Sequence, residues 1–211
     1  LSCLRHNYHK NMKQSIEHRS LIYYFIRVLW VGVILLALIF IYMHALQYFG
    51  FDPEVFGRYW PYKYLLIGHV GGGILALVIG PFQFSSSFRK KYLSIHRLIG
   101  KIYIVAILIG SFCAVTLAFT VAMEAHWTWA LSLMGLAFPW IICVLMAYRS
   151  IRLLRITTHR EWMIRSYVVT FAFIVFRILN DYIMTDMGSF IERAPTAIWI
   201  SWSIPLMVAE V

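Results

Sequence analysis

Two histidines at helix starts are the residues of this chain best suited to chemistry. His96-Arg97 and His159-Arg160 each open an apolar run of membrane-spanning length, which puts both imidazoles at one depth. Two imidazoles at one depth on neighbouring helices can fill both axial positions of a haem iron. His96 and His159 are therefore the candidate metal ligands. Arg97, Lys101 and Arg165 lie near enough to hold haem propionates or a phosphate head group. Gln83 and Glu210 reach the same level from other runs, which completes this candidate cofactor layer. The alternative is that each His-Arg pair is an interfacial anchor whose imidazole caps or snorkels.

A second polar layer lies deeper. His69 is six residues into its run, ~9 Å below one edge and ~21 Å from the other edge of a ~30 Å core. Arg177 is about fourteen residues into a run that starts on the opposite side, again ~21 Å along. Asp181 follows Arg177 by one helical turn, so the two can pair, and Asn180 is adjacent. An arginine at the centre of a bilayer costs ~2.5–3.5 kcal/mol, so Arg177 must face inward and be partnered. The layer is either a structural ion pair with His69 beside it or a pocket for a polar or anionic ligand.

The remaining titratable residues carry less. His44 and His126 fall at or beyond the edge of the core, and either reaches His69 only if helices tilt or break. His6, His9 and His18 show no pattern. Cys3, Cys113 and Cys143 lack the spacing of a disulfide framework or a zinc site. There is no P-loop, no HExxH and no arrangement for nucleophilic or paired-carboxylate catalysis.

The elements that position these residues are transmembrane helices. The chain has 211 residues, 61% of them hydrophobic and only 13% charged, where soluble domains carry about 25% charged residues. The net charge of +10 does not point to nucleic acid, because the basic residues sit between apolar runs rather than on one soluble face. Six runs approach or exceed the ~20 residues that cross a bilayer: about 21–48, 63–84, 94–123, 130–149, 162–186 and 196–211. Residues 1–20 form a basic segment before a single domain, 21–211. Pro139 is expected to kink the fourth span, and Ser150–Glu161 to form a basic linker. The first run is too long for a cleavable signal peptide. Leu1–Asn11 reads as an upstream extension or a fragment end, with Met12 as a start.

The central hairpin, Leu65 to Tyr103, is rich in small residues. His69, Gly72, Ala76, Gly80 and Gln83 share one helix face at spacings of 3, 4, 4 and 3, and His96, Gly100, Tyr103 and Gly110 share another. In lipid, such faces let backbones approach closely. Lysine and arginine crowd the N-terminal segment and the second-to-third and fourth-to-fifth connections, which puts both termini in the cytoplasm. Spans two-three and four-five form a weak internal repeat, with His96 and Tyr103 echoed by His159 and Tyr167.

The stretches HVGGGILALVIGPFQF (His69–Phe84), HRLIGKIY (His96–Tyr103), HREWMIRSYVVTFAFIVFRI (His159–Ile178) and WISWSIPLMVAE (Trp199–Glu210) resemble one family. It is the set of predicted membrane proteins called domain of unknown function 2306. The resemblance covers most of the chain from span two onward. It implies a small multi-span, bacterial-type membrane protein and no particular activity. By resemblance, His69, Gln83, His96, Gly100, His159, Arg165, Arg177 and Glu210 fall on motif positions, and His44 and His126 do not. Pro205 stands where that pattern leads one to expect a polar residue. A looser, fold-level similarity is to transmembrane cytochromes b.

The expectation is an all-α bundle of six transmembrane helices in a bacterial-type inner membrane. Its leading function is haem b binding and cytochrome b-like electron transfer. One alternative is a non-catalytic membrane subunit or assembly factor. Another is a transporter-like protein binding quinone, lipid or a small solute, with His69, Arg177 and Asp181 lining the pocket. The expected partners are the lipid bilayer and other membrane subunits or quinone.

Overall fold

The computed structural model describes residue 21 and residues 24–210, so the expected basic segment 1–20 lies outside the described residues. All regular structure among the described residues is helical. Two compact units are present, one ending at Ile39 and one starting at Phe40. The first contributes helix α1, residues 24–39. The second begins with a π-turn at Ile41–Ala45 and a 3-10 turn at Leu46–Gly50. It continues with α2 (Pro53–Phe56), a 3-10 turn (Gly57–Tyr62), α3 (Lys63–Phe84), α4 (Ser86–Lys91) and α5 (Leu93–Leu117). A π-turn (Ala118–Ala122) leads to α6 (Met123–Ala125), α7 (Trp127–Arg152) and α8 (Ile156–Ile178). A further π-turn (Leu179–Ile183) precedes α9 (Phe190–Val208).

Five helical stretches are long and apolar enough to cross a membrane: Tyr24–Gly50, Pro53–Phe84, Leu93–Ala125, Trp127–Arg152 and Ile156–Ile183. α9 is not among the five; Glu192, Arg193 and Pro195 occupy its first turns. Most segment ends that differ lie beyond the expected ones, while the fifth and sixth stop earlier, at Ile183 and Val208. The expected linker Ser150–Glu161 shrinks to Leu153–Arg155, because α7 runs on to Arg152 and α8 starts at Ile156. Long basic side chains snorkel to the interface from a helix as readily as from a loop, so their presence does not end one. Pro139 lies inside α7 without ending it.

Local signals explain the breaks. Ser85 Oγ accepts from Phe88 N at 3.2 Å and starts α4. His126 Nδ1 accepts from Thr128 N at 3.3 Å and starts α7, which gives that histidine a capping role. Glu192 accepts from the Ser189 backbone N–H and hydroxyl at 2.6 and 2.9 Å and starts α9. Those bonds, the backbone one foremost, hold its carboxyl below the usual range. Their contribution is therefore present at neutral pH and fades as pH falls through that lowered range. Leu154 takes a left-handed φ of 58° in the turn after α7, a position that suits glycine. Leu154→Gly is expected to be neutral or to raise stability by up to about 1 kcal/mol, as read by thermal unfolding in detergent.

In the second unit the connections are short, so consecutive long helices run antiparallel. One end of the bundle, the aromatic end, carries the segment 51–62, His126 and residues 184–189. The other, the basic end, carries Arg89, Lys90, Lys91, Arg152 and Arg155. Large apolar side chains cover the outside, among them Val78 and Phe82 on α3, Ile102 and Phe112 on α5, and Phe138 and Ile142 on α7. In water so large a patch would be an association surface; in a bilayer it is the face that meets lipid.

Inside, small residues and hydroxyls replace them. A Cβ on Gly72 would lie 2.5 Å from Ala106 O and 3.1 Å from Gly110 Cα, so α3 and α5 touch backbone to backbone. A Cβ on Gly80 would collide with the Tyr167 ring, whose hydroxyl donates to Leu77 O at 3.2 Å. Thr170 is the hub of the polar core. Its Oγ1 accepts from Trp140 Nε1 at 2.8 Å and donates to Ser166 O at 2.8 Å. Tyr103 O–H, fully buried, lies 3.1 Å from Ser166 Oγ and 3.4 Å from Thr170 Oγ1. These bonds join α5, α7 and α8.

Candidate functional site

The aromatic end of the second unit carries a half-open cavity of about 610 Å³. α3 supplies one wall with Leu66, His69, Gly73 and Leu77. α7 and α8 supply Trp129, Trp140, Phe173 and Arg177, α9 supplies Ile198, and the turns before α3 supply His44, Arg58 and Tyr59. A Cβ placed on Gly73 meets no atom within 4 Å, so this glycine leaves room inside the cavity rather than room for a neighbouring helix.

His69 is positioned by the close approach of α3 and α5. Its Nδ1 lies 3.0 Å from Gly110 O. A carbonyl only accepts, so Nδ1 carries the proton, and in the neutral ring Nε2 is left with a lone pair. The ring meets Phe173 edge-on, with centroids 5.4 Å apart. Phe173 in turn meets the Trp140 ring at 5.3 Å. The polar core and the cavity wall therefore share Trp140.

Three π-turns lie at this end, at Ile41–Ala45, Ala118–Ala122 and Leu179–Ile183. A π-turn inserts one residue into a helix and rotates the side chains beyond it to new directions. The first carries His44, which lines the cavity with Arg177 and Asp181 in electrostatic reach. The third carries Asn180 and Asp181. Asn180 Nδ2 donates to Asp181 Oδ1 at 2.6 Å, and Arg193 Nε donates to Asn180 Oδ1 at 3.3 Å. Asp181 is thus held mainly by Asn180. Arg177 Nη1 reaches its other oxygen only at 3.5 Å. Of the four residues expected in this layer, His69 and Arg177 line the cavity; Asn180 and Asp181 do not.

The other expected layer lies at the basic end, and none of its members lines the cavity. His159 Nδ1 donates to Ala147 O at 2.8 Å. His96 is in electrostatic reach of His159, and its buried Nδ1 has no partner among the described residues. Gln83 is buried beside Gly100, with its Nε2 also without a partner among them. Arg165 is committed elsewhere: both its Nε and Nη2 donate to the Glu210 carboxylate, and its guanidinium lies 4.7 Å from the Trp162 ring centre. Arg97 and Lys101 are exposed. Among the described residues no group of three or more His, Cys, Asp or Glu side chains could hold a metal ion.

Arg58, Tyr59, Trp129, Trp140 and Phe173 are cavity residues that reading by depth passes over, and it places His44 at the edge. The signal is present for one of them: an arginine among aromatic residues in RYWPY, in a segment too apolar to stay in water. The π-turn that brings His44 inward has no comparable trace in the sequence.

A family model described as predicted membrane protein (DUF2306) matches residues 66–211. The match covers more than half of the chain, and the chain belongs to this family. It takes in His69, Gly73, Trp140 and Arg177; His44 and Arg58 lie before it. No curated protein and no solved structure matches the chain.

Proposed function

We propose that this member of the family binds an amphiphilic small molecule of the quinone or lipid class inside its helical bundle. The observation that carries the reading is the cavity itself. It has an apolar floor at Leu77, Trp140 and Ile198 and polar groups, Arg58, Arg177 and His44, among its lining. Ligand sites of ~300–1,000 Å³ with mostly apolar walls and a few convergent polar groups are the usual form of a small-molecule pocket. His69 adds one lone-pair or proton-bearing nitrogen within it. The basic end is taken to face the cytoplasm by the positive-inside rule, which sets the cavity in the opposite leaflet.

Gly73 provides the test. Gly73→Leu is expected to put a side chain into the cavity and obstruct it without moving a helix. The wild-type protein, purified in mild detergent, should yield about one tightly held amphiphile per chain on solvent extraction and mass spectrometry. The variant should keep the same unfolding temperature and lose that molecule. Identical extracts from both proteins would overturn the reading and leave a bundle whose polar layers serve packing, as in a subunit or assembly factor.

A second reading is haem between His96 and His159. It is supported by the Nδ1–H bond from His159 to Ala147 O, which fixes the tautomer and frees Nε2 as metal-ligating imidazoles require. Arg165, bound to Glu210, is not free to meet a propionate. Haem-replete expression should then give a Soret band that His159→Ala abolishes; a protein without the band removes electron transfer through haem.

A further inference from the structure

The cations at the cavity leave one charge unanswered. Among the described residues no aspartate or glutamate lines the cavity, whereas Arg58 and Arg177 do. Arg58 makes no hydrogen bond or ion pair among the described residues, although Asp52 and Glu54 stand in the same segment. Among the described residues Arg177 pairs with one carboxylate, Asp181, at 3.5 Å, while Asn180 holds that carboxylate at 2.6 Å. Both arginines line this one cavity, together with Tyr59 next to Arg58 in the chain. A guanidinium has five N–H donors in a fixed fork, shaped for a carboxylate or phosphate. Arg177 is only 33% exposed, so donors that Asp181 leaves unmet are costly there, whereas Arg58 is exposed and adds charge at the mouth. A neutral quinone carbonyl would satisfy one donor and leave the charge.

Resting on the proposal that the cavity binds an amphiphile, we infer that the amphiphile is anionic, with a carboxylate or phosphate head at Arg58 and Arg177 and an aliphatic chain running past Leu66 toward Leu77 and Ile198. His44 adds a further donor to the head, and His69 lies below it along the chain. Single-chain carboxylates and anionic phospholipids share this chemistry.

The test uses the full chain in nanodiscs of phosphatidylcholine and reads quenching of tryptophan fluorescence, since Trp129 and Trp140 line the cavity. The probes are dibromostearate, its uncharged methyl ester and a phosphatidylglycerol with brominated chains. Quenching from surrounding lipid is subtracted with Gly73→Leu. Dibromostearate should bind at least about tenfold more tightly than the ester, as one charge-assisted contact implies. Arg58→Gln, at an exposed residue without a partner among the described residues, should shrink that preference, and adding Arg177→Gln should bring it to about one. Quenching by the brominated phosphatidylglycerol would assign the source to phospholipid; quenching by dibromostearate alone would assign it to single-chain acids. Equal affinity for acid and ester, lost together in Gly73→Leu, would overturn the anionic head and leave the cavity reading standing. No Gly73-sensitive quenching by any probe would overturn both.

Discussion

Gly72→Ala is expected to destabilise the bundle by about 1–3 kcal/mol, and Gly72→Leu to prevent its assembly, whereas Gly73→Ala leaves stability unchanged or slightly raised. The two glycines are neighbours on α3, but they face different things. A methyl at Gly72 would sit 2.5 Å from Ala106 O. A carbonyl locked in a helix cannot rotate away, so α3 and α5 would have to separate along their length. Separation would also lengthen the His69–Gly110 bond, now 3.0 Å. A methyl at Gly73 enters open space. Helix propensity alone favours alanine over glycine at both sites by about 1 kcal/mol, so the opposite outcome at Gly72 isolates the packing effect. Thermal unfolding of both variants in the same detergent checks the pair. Equal shifts would mean that α3 and α5 are not in backbone contact.

Thr170→Val is expected to cost about 1–3 kcal/mol, the range for a buried polar group left without its partner. The substitution keeps volume and removes the oxygen that Trp140 Nε1 donates to. Thr170 is the acceptor that this indole N–H uses, and the indole is almost fully buried. Tyr103→Phe should cost less, nearer the ~0.6 kcal/mol typical of polar contacts between membrane helices. The phenol bonds at longer range, and Thr170 keeps both Trp140 and the Ser166 carbonyl in its absence. Unfolding of the single variants and of Trp140→Phe with Thr170→Val gives the coupling directly. A Thr170→Val protein as stable as the wild type would show that this core is held by apolar packing alone.

Much of this architecture is readable in the sequence, for specific reasons. An apolar run with two charges or fewer is either a span or nothing, so Lys63–Phe84 emerges with both ends in place. Small residues at helical spacing name Gly72 and Gly80 as contact points, and both are. Counting helix rise from opposite sides puts His69 and Arg177 at one level; both line one cavity, but His69 packs on Phe173, one turn before Arg177 on α8. Inferences that need an irregular backbone fail. His44 is turned inward by a π-turn, and Arg58 stands in a segment of short turns that reads as a loop. Side-chain partners are equally out of reach. Arg165 and Glu210 both belong to the basic end, but nothing in their spacing of 45 residues says that they bind each other rather than a cofactor.

The cavity is central because every functional reading of its arginines requires an amphiphile inside it, and photo-crosslinking tests that most directly. A fatty acid carrying a diazirine in mid-chain, irradiated with the protein in nanodiscs and mapped by peptide sequencing, reports the residues its chain touches. The predicted adducts fall on cavity residues, Leu66, Val70, Leu77 and Phe173, and disappear in Gly73→Leu. Adducts confined to the lipid-facing residues Phe82, Ile102 and Phe112, unchanged in that variant, would contradict it.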